Sequence, residues 1–266
     1  MIKRVRAHHL LEMKREGTPI TMLTAYDSLT SQIFDAAGID TLLVGDSIGN
    51  TMLGYGSTIP VTMEEMLVAT RSVVRGAQRA FVVADLPMGS YEESPEQGVR
   101  NAIRLIKVGA SAVKLEGGVR MAKTIRAIVD AGVPVVGHIG FTPQSENALG
   151  GPRVQGRGDS AADKVLADAV AVEEAGATAV VLEMVPERVS AKITQVLNIP
   201  TIGIGAGVHC DGQVLVWTDM AGMTDWNPSF AKRFGELGAA LKGAAEAYNN
   251  EVKARIFPDE NTSFQK

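Results

Sequence analysis

The sequence predicts an α/β fold, a (β/α)₈ TIM barrel in which the 266 residues form a single domain. A small residue, a glycine, two connecting residues and an apolar β-branched run recur in AAGIDTLLVGD, KVGASAVKLEG, DAGVPVVGHIG and EAGATAVVLEM. The glycine suits the left-handed residue after a helix, and the run suits a parallel strand buried on both faces. Even spacing and a length typical of one large domain favour a barrel over a long doubly wound sheet.

The same pattern, extended along the chain, predicts eight strands with helices between most of them. The strands are expected at residues 20–26, 41–46, 81–86, 112–116, 133–138, 178–183, 199–204 and 213–218. Capping boxes that begin at Thr62 and Ser94 predict two helix starts. Ser160 is expected to cap a helix that ends at Gly176, and a shorter helix is expected over 187–197.

Two segments lie outside the repeat. An amphipathic helix over 2–16 is expected to close the bottom of the barrel, and a last helix is expected over 228–250. The long Gly-rich loop at 142–159 is typical of a lid or a disordered connection. The expected boundaries are 1–17 for the N-terminal helix, 18–220 for the barrel strands and 221–266 for the C-terminal helix and tail.

Composition argues against a nucleic-acid-binding, membrane-spanning or disulfide-rich protein. A net charge of −4 offers no basic surface for nucleic acid. No apolar run reaches the roughly 18 residues of a membrane span, and the N-terminal segment lacks the apolar centre of a signal peptide. The single cysteine, Cys210, excludes an intrachain disulfide framework and suits a reducing compartment. A cytoplasmic protein with no membrane or nucleic-acid partner is therefore expected.

Ionisable side chains stand at the carboxyl ends of six successive predicted strands, the edge of such a barrel where active sites lie. They are Asp27, Asp46 (followed by Ser47), Asp85, Lys114 with Glu116, His138 and Glu183. Each has a structural alternative: Asp27 as a helix cap, Lys114 and Glu116 as an ion pair, His138 as a buried structural histidine. Together, however, the acids would repel one another unless a cation compensates them, and oxygen ligands favour Mg²⁺.

Several of these side chains lie in strings that resemble the ketopantoate hydroxymethyltransferase family. The strings, in order, are VGDSIGNTMLGYGSTIPVTMEEM, ADLPMGSY, KLEGG, GHIGFTPQS, VQGRG, VLEMVP and IGIGAG. The resemblance covers about residues 18 to 260 and places the chain in the wider group of barrels with phosphoenolpyruvate mutase and isocitrate lyase. The chain departs from the family pattern at Met88-Gly89 and at Thr218, where a phenylalanine and a histidine are expected.

The resemblance implies transfer of a hydroxymethyl group from 5,10-methylenetetrahydrofolate to 3-methyl-2-oxobutanoate, which gives 2-dehydropantoate for pantothenate and coenzyme A. It implies Asp46, Asp85 and Glu116 as the Mg²⁺ site, with Glu116 bound directly or through water. It implies Glu183 as the proton acceptor. Asp46, Ser47, Asp85 and Lys114 are the implied substrate-binding residues. A cytoplasmic homo-oligomer, a decamer of two pentameric rings, is also implied.

The chemistry is consistent with these residues. A bound Mg²⁺ would stabilise the enolate of a 2-oxo acid, and Glu183 would face it from the far side of the barrel. His138 is expected either to bind a substrate oxygen or shuttle a proton, or to be purely structural. Two alternatives remain: a Mg²⁺-dependent C–C lyase or mutase, which should carry a cysteine near strand four, and a non-catalytic metal-binding scaffold.

Overall fold

The computed structural model describes residues 4–264. Eight parallel strands close a barrel in chain order, and β8 pairs with β1. The strands are β1 Ile20–Thr24, β2 Thr41–Val44, β3 Phe81–Asp85, β4 Ala112–Glu116, β5 Val135–Gly140, β6 Ala179–Glu183, β7 Thr201–Ile204 and β8 Gly212–Leu215. The predicted barrel is confirmed.

Helices follow most of the strands along the chain. They are α1 Ala7–Glu16, α2 Ser28–Ala36, α3 Ile48–Thr51, α4 Met63–Gly76, α5 Pro95–Lys107, α6 Ala122–Asp130, α7 Glu146–Leu149, α8 Asp159–Glu174, α9 Glu187–Val196, α10 Trp217–Met220 and α11 Leu237–Lys253. Short 3₁₀ turns lie at Val119–Met121 and Pro143–Ser145. No helix in residues 4–264 is long and apolar enough to cross a membrane.

The helix starts follow the predicted capping chemistry at some positions and not at others. Thr62 and Glu65 form the reciprocal capping box of α4, and Asp27 caps α2 by accepting hydrogen bonds from Leu29 N and Thr30 N. Before α5, Ser94 accepts from Gln97 N as predicted.

The prediction of a complete capping box at α5 is wrong. The Gln97 side chain accepts a hydrogen bond from Glu93 N and not from Ser94 N. The predicted cap at Ser160 is also wrong. α8 already begins at Asp159, and its N-cap is Gly158, whose φ of 81° favours glycine.

The amino end of the barrel is closed by α1. Leu10, which is 1% exposed, belongs to the same apolar cluster as Ile20, Phe81 and Ala179 from the beginnings of three strands. Lys14 Nζ lies 2.7 Å from Asp211 Oδ2, just before β8. The predicted helix over 2–16 begins only at Ala7, and residues 2 and 3 lie outside the described residues.

The chain divides into two compact units, the first ending at Leu215 and the second beginning at Val216. The predicted strand over 213–218 is too long, because the chain leaves the sheet at Leu215 and enters α10.

The predicted helix over 228–250 begins only at Leu237. Within the second unit, Phe234 N and Leu237 N donate to the carbonyls of Met220 and Ala221. These amides are therefore not available for an earlier helical turn.

Candidate active site

The site follows from the two-residue period of the strands. On four neighbouring strands the side chains that face the barrel axis are apolar near the amino end and ionisable at the carboxyl end. They are Phe81, Val83 and Asp85 on β3, Ala112, Lys114 and Glu116 on β4, Val136 and His138 on β5, and Ala179, Val181 and Glu183 on β6. The pairing register sets Asp85 beside Lys114 and Glu116 beside His138.

Asp46 and Asp85 form a buried acidic pair. Asp46 N donates to Asp85 Oδ2 over 3.0 Å, and the two residues are 5% and 2% exposed. Burial, reinforced by the charge of Glu116, raises the pKa of Asp46 to about 6. Burial also raises the pKa of Asp85 to about 6, against the opposing effect of Lys114. Both carboxyls therefore lose their protons at a higher pH than an exposed aspartate does.

Lys114 is the fixed positive charge of the site. Its Nζ lies 3.1 Å from Asp85 Oδ1, so its ion-pair partner is Asp85 and not Glu116, the partner of the structural alternative. Burial opposes the ammonium form, but Asp85, Asp46 and Glu116 together raise the pKa of Lys114 above its ordinary value. Lys114 remains charged through the physiological range.

His138 connects two carboxylates. Its Nδ1 lies 3.4 Å from Glu116 Oε1 and its Nε2 lies 3.1 Å from Glu183 Oε2, while Lys114 Nζ is 3.3 Å from Nδ1. Burial and the Lys114 charge oppose protonation, but the carboxylates of Glu116 and Glu183 beside the two ring nitrogens raise the pKa of His138 to about 9. His138 is thus part of the site and not an isolated core histidine.

Glu183 is the most accessible of these ionisable groups. Its side chain is 16% exposed, whereas that of His138 is 4% exposed and that of Glu116 is 1% exposed. In the closed barrel β6 lies opposite β2, which leads into Asp46. Glu183 and the acidic pair therefore lie on opposite sides of the carboxyl end of the barrel.

Ser47 lies directly after Asp46, and its hydroxyl is 2.8 Å from Tyr26 Oη. Burial raises the pKa of Tyr26 to about 12, so Tyr26 remains a neutral phenol. The tyrosine holds the serine hydroxyl beside the acidic pair.

Gln144 and Tyr91 are site residues that the charged strand ends do not predict. Gln144 Nε2 donates to Asp46 Oδ2 over 2.9 Å, and Gln144 N donates to Glu116 Oε2 over 3.0 Å. Tyr91 Oη donates to Gln144 Oε1 over 2.6 Å. The glutamine thus bridges two of the acids. The available signal was the strings GHIGFTPQS and ADLPMGSY, which contain both residues outside the strands.

The donor set fits a hard divalent cation. Asp85 Oδ1, Glu116 Oε1 and His138 Nε2 are buried and make no hydrogen bond, although each lies close to a charged group. Unsatisfied carboxylate oxygens in a buried acidic cluster are the ligands that Mg²⁺ prefers. In residues 4–264, three His, Cys, Asp or Glu ligand atoms all within 4.8 Å of one another occur only at His8, His9 and Glu12. Asp46, Asp85 and Glu116 therefore do not form a three-carboxylate ligand set as compact as that one.

Cys210 offers no competing nucleophile. It is a half-buried free thiol, and burial raises its pKa above the ordinary value. A thiol with a raised pKa is a poor nucleophile at neutral pH.

The chain is similar to known proteins over nearly its whole length. Residues 4–260 match the family model of ketopantoate hydroxymethyltransferase. The chain belongs to this family. Ketopantoate hydroxymethyltransferases are also its curated relatives: a 3-methyl-2-oxobutanoate hydroxymethyltransferase of Leifsonia xyli subsp. xyli is 60% identical, over 98% of this chain and 95% of that protein. The corresponding protein of Rhodococcus jostii is 58% identical, over 98% and 91%.

More distant solved structures share the fold. A 2,3-dimethylmalate lyase of the phosphoenolpyruvate mutase/isocitrate lyase superfamily superposes with a TM-score of 0.61 at 16% identity, over 97% of this chain and 92% of that chain. A phosphoenolpyruvate phosphomutase from Streptomyces platensis superposes with a TM-score of 0.64 at 16% identity, over 94% and 88%. The predicted family is confirmed, and these structures confirm the predicted barrel fold.

Proposed function

We propose that this ketopantoate hydroxymethyltransferase transfers the one-carbon unit of 5,10-methylenetetrahydrofolate to C3 of 3-methyl-2-oxobutanoate, with one water supplying the hydroxyl oxygen, and releases 2-dehydropantoate and tetrahydrofolate. Full-length identity of 56–60% to 3-methyl-2-oxobutanoate hydroxymethyltransferases supports the reaction. The observation that carries the mechanism is the Glu183–His138–Glu116 series, which faces a buried acidic pair across the barrel.

Asp46 and Asp85 are the residues that would hold Mg²⁺, and Glu116 would act through water because its Oε2 accepts from Gln144 N and its Oε1 faces the His138 ring. When bound, the ion supplies Lewis acidity that favours the enolate form of the 2-oxo acid. Gln144 keeps Asp46 oriented through a 2.9 Å hydrogen bond. The assignment of Asp85 is supported by its buried Oδ1, which makes no hydrogen bond, and that of Asp46 by its burial directly beside Asp85.

The keto acid carboxylate is bound by positive charge and a hydroxyl donor. Lys114 supplies the charge, and Asp85 fixes its position. The Ser47 hydroxyl, held by Tyr26, donates a hydrogen bond. Both groups lie on the side of Asp46 and Asp85, so the acid enters with its polar end toward that pair.

Glu183 accepts the C3 proton. It stands across the barrel from Asp46, and its carboxylate is accessible from the rim. His138 is a positioning residue, since its Nε2 contact holds the carboxylate while Glu116 fixes the other ring nitrogen. Glu183 then carries the proton while the enolate carbon attacks the one-carbon unit.

The test is exchange of the C3 proton of 3-methyl-2-oxobutanoate with D₂O, followed by NMR without the folate. The wild-type chain with Mg²⁺ should exchange the proton. Glu183→Gln should reduce exchange by about 10² or more, the usual effect of losing a general base, and should leave Mg²⁺ binding in calorimetry nearly unchanged. Asp46→Ala and Asp85→Ala should instead lose Mg²⁺ binding.

Glu187→Gln, an exposed carboxylate at the start of α9, is the matched control and should exchange like wild type. Absence of exchange in the wild-type chain contradicts the mechanism and favours the scaffold alternative. Cleavage of the keto acid without a one-carbon donor would favour the lyase alternative.

We also propose that the chain assembles into a homo-oligomer, a decamer by resemblance to the family. Large apolar side chains are exposed on the barrel unit, with Leu29 66% and Val68 65% exposed. In the second unit, α11 has no buried residue along 17 residues. Light scattering should give ten times the 28.1 kDa of one chain, whereas a monomer would contradict the proposal. The cytoplasmic location stays a prediction.

A further inference from the structure

A cavity of about 520 Å³ lies against the outer side of the barrel wall, between the loops after β4 and β5 and the helix α8. Apolar side chains from all three elements line it, including Val119, Leu149 and Val165. This volume is in the range of sites that hold ring-containing small molecules. The cavity is therefore large enough for part of a substrate.

The wall of the cavity is joined to the proposed base. Gly140, which lines the cavity, pairs with Glu183 in the β5–β6 register. Gln155, from another part of the lining, donates its N–H to Met184 O over 2.9 Å. Met184 has a φ of 49°, a left-handed conformation that persists only where surrounding contacts impose it. Two residues of the cavity lining thus contact this main chain, Gly140 by pairing with Glu183 and Gln155 by its hydrogen bond to Met184.

Glycines allow the loop after β4 to pack tightly against α8. A Cβ at Gly118 would overlap the side chain of Asp168. Asp168 Oδ1 accepts a hydrogen bond from Val119 N over 2.8 Å and so fastens the loop to the helix. This contact accounts for the second glycine of the KLEGG string. The close packing at Gly118 and this hydrogen bond therefore fix one wall of the cavity against α8.

Two cations line the cavity in a chain of net charge −4. Arg120 stands on the loop after β4, where its Nη2 donates to Ser145 Oγ over 2.7 Å. Lys164 stands on α8, on another wall. With Asp168 engaged by the loop, these two side chains are suited to an anionic ligand, and above all to carboxylates.

We propose that this cavity binds the aminobenzoyl-glutamate end of the one-carbon donor, an inference that rests on the proposed function. Arg120 and Lys164 pair with the glutamate carboxylates, and the apolar wall packs against the aminobenzoyl ring. The reactive carbon of the donor lies between its pterin and aminobenzoyl rings, and it must reach C3 of the keto acid beside Glu183. In this proposal the anionic end of the donor occupies the cavity, whose lining residue Gly140 pairs with Glu183.

The experiment compares wild type with the double variant Arg120→Ala, Lys164→Ala. Loss of two charge-assisted contacts should weaken tetrahydrofolate binding in calorimetry about tenfold or more and raise the KM for the donor similarly. The probe 6-methyltetrahydropterin, which lacks the aminobenzoyl-glutamate end, should bind both proteins equally. C3 proton exchange without folate should be unchanged. Lys192→Ala, an exposed lysine of α9, is the matched control.

The reciprocal variant Arg120→Lys, Lys164→Arg keeps both charges and should retain most of the affinity. Lys164→Glu, at an exposed helix position, provides the same test if the double variant folds poorly. Unchanged tetrahydrofolate affinity in the alanine variant, or equal weakening of both probes, overturns the inference while wild-type exchange still supports the proposed function. Absence of exchange in the wild type is the separate failure of the proposed function.

Discussion

At the scale of single residues, the site is a small set of buried polar side chains, most of which have a partner of opposite charge or a hydrogen bond. Lys114 and His138 offset part of the acidic charge, and Gln144 supplies an amide to Asp46 and another to Glu116. Oxygens that remain unsatisfied are costly in a buried site, so they mark where a ligand is expected.

Replacement of Gln144 by leucine tests this matching. Gln144→Leu removes the Nε2–H donor from Asp46 and the acceptor from Tyr91, both buried. We expect a loss of about 2–3 kcal/mol in the free energy of unfolding, measured by urea titration without metal. Gln78→Leu, at an exposed position, should change it by less than about 0.5 kcal/mol. Equal effects in the two variants would contradict the proposed bridge.

If His138 is a positioning residue, its replacement should lower the rate of C3 proton exchange and leave the affinity for the keto acid nearly unchanged. His138→Gln keeps a hydrogen-bond donor but loses the cation between Glu116 and Glu183. C3 proton exchange should fall by about 10- to 100-fold, with the keto acid affinity nearly unchanged. The pH profile of exchange should lose the ionisation of the group whose pKa is raised to about 9. An unchanged profile would show that His138 is purely structural.

At the scale of elements, the β5–β6 pair shows how strand packing orients a side chain. Gly140 ends β5 with a φ of 90°. A Cβ there would overlap the carbonyl of Glu183 and the side chain of Val185. Only glycine therefore allows the close approach that sets the main chain at the end of β6 and with it the direction of Glu183.

Gly140→Ala should therefore disturb both stability and exchange. Gly132→Ala is its matched control, because Gly132 has a similar φ of 84° but no atom within 4 Å of a built Cβ. We expect Gly132→Ala to cost about 1 kcal/mol from the backbone conformation alone. Gly140→Ala should cost about 2 kcal/mol or more beyond that and slow C3 proton exchange. Equal costs in urea unfolding would show that the close approach is unimportant.

At the scale of the whole molecule, the buried charges link stability to pH and to metal. Asp46 and Asp85 have pKa values raised from 3.8 to about 6, and His138 has one raised from 6.5 to about 9. Each group binds its proton more tightly in the folded chain. Its stabilising contribution is complete below the ordinary pKa and is lost as the pH rises through the folded pKa.

Metal-free protein should therefore lose stability as the pH rises from about 4 to 6, and again from about 6.5 to 9. Mg²⁺ should reverse part of this loss, since it requires deprotonated carboxylates. Its stabilising effect should be larger at pH 8 than at pH 5. Urea midpoints with EDTA and with Mg²⁺ at both pH values provide the check. A larger Mg²⁺ effect at pH 5 would contradict Asp46 and Asp85 as ligands.

Much of this molecule was predictable from local sequence. Repeated helix ends and apolar runs predict the strand order, and the ionisable residues at the strand ends predict the inward cluster, because a strand has a period of two and parallel strands end at one rim. Asp27 and Thr62 behave as caps, since a cap involves only residues nearby in the chain. Errors fall at Ser160 and at the last helix, where glycine conformation and contacts from Met220 decide the boundary.

The sequence by itself determined the barrel, the family and the acids on its rim, because these depend on periodicity and on motifs of neighbouring residues. Only the tertiary structure decided that Lys114 pairs with Asp85, that His138 joins Glu116 to Glu183, and that Gln144 bridges the acids. The same is true of the cavity beside α8. Such contacts join residues far apart in the chain, and their partners are set by strand register and loop packing, which local pattern does not encode.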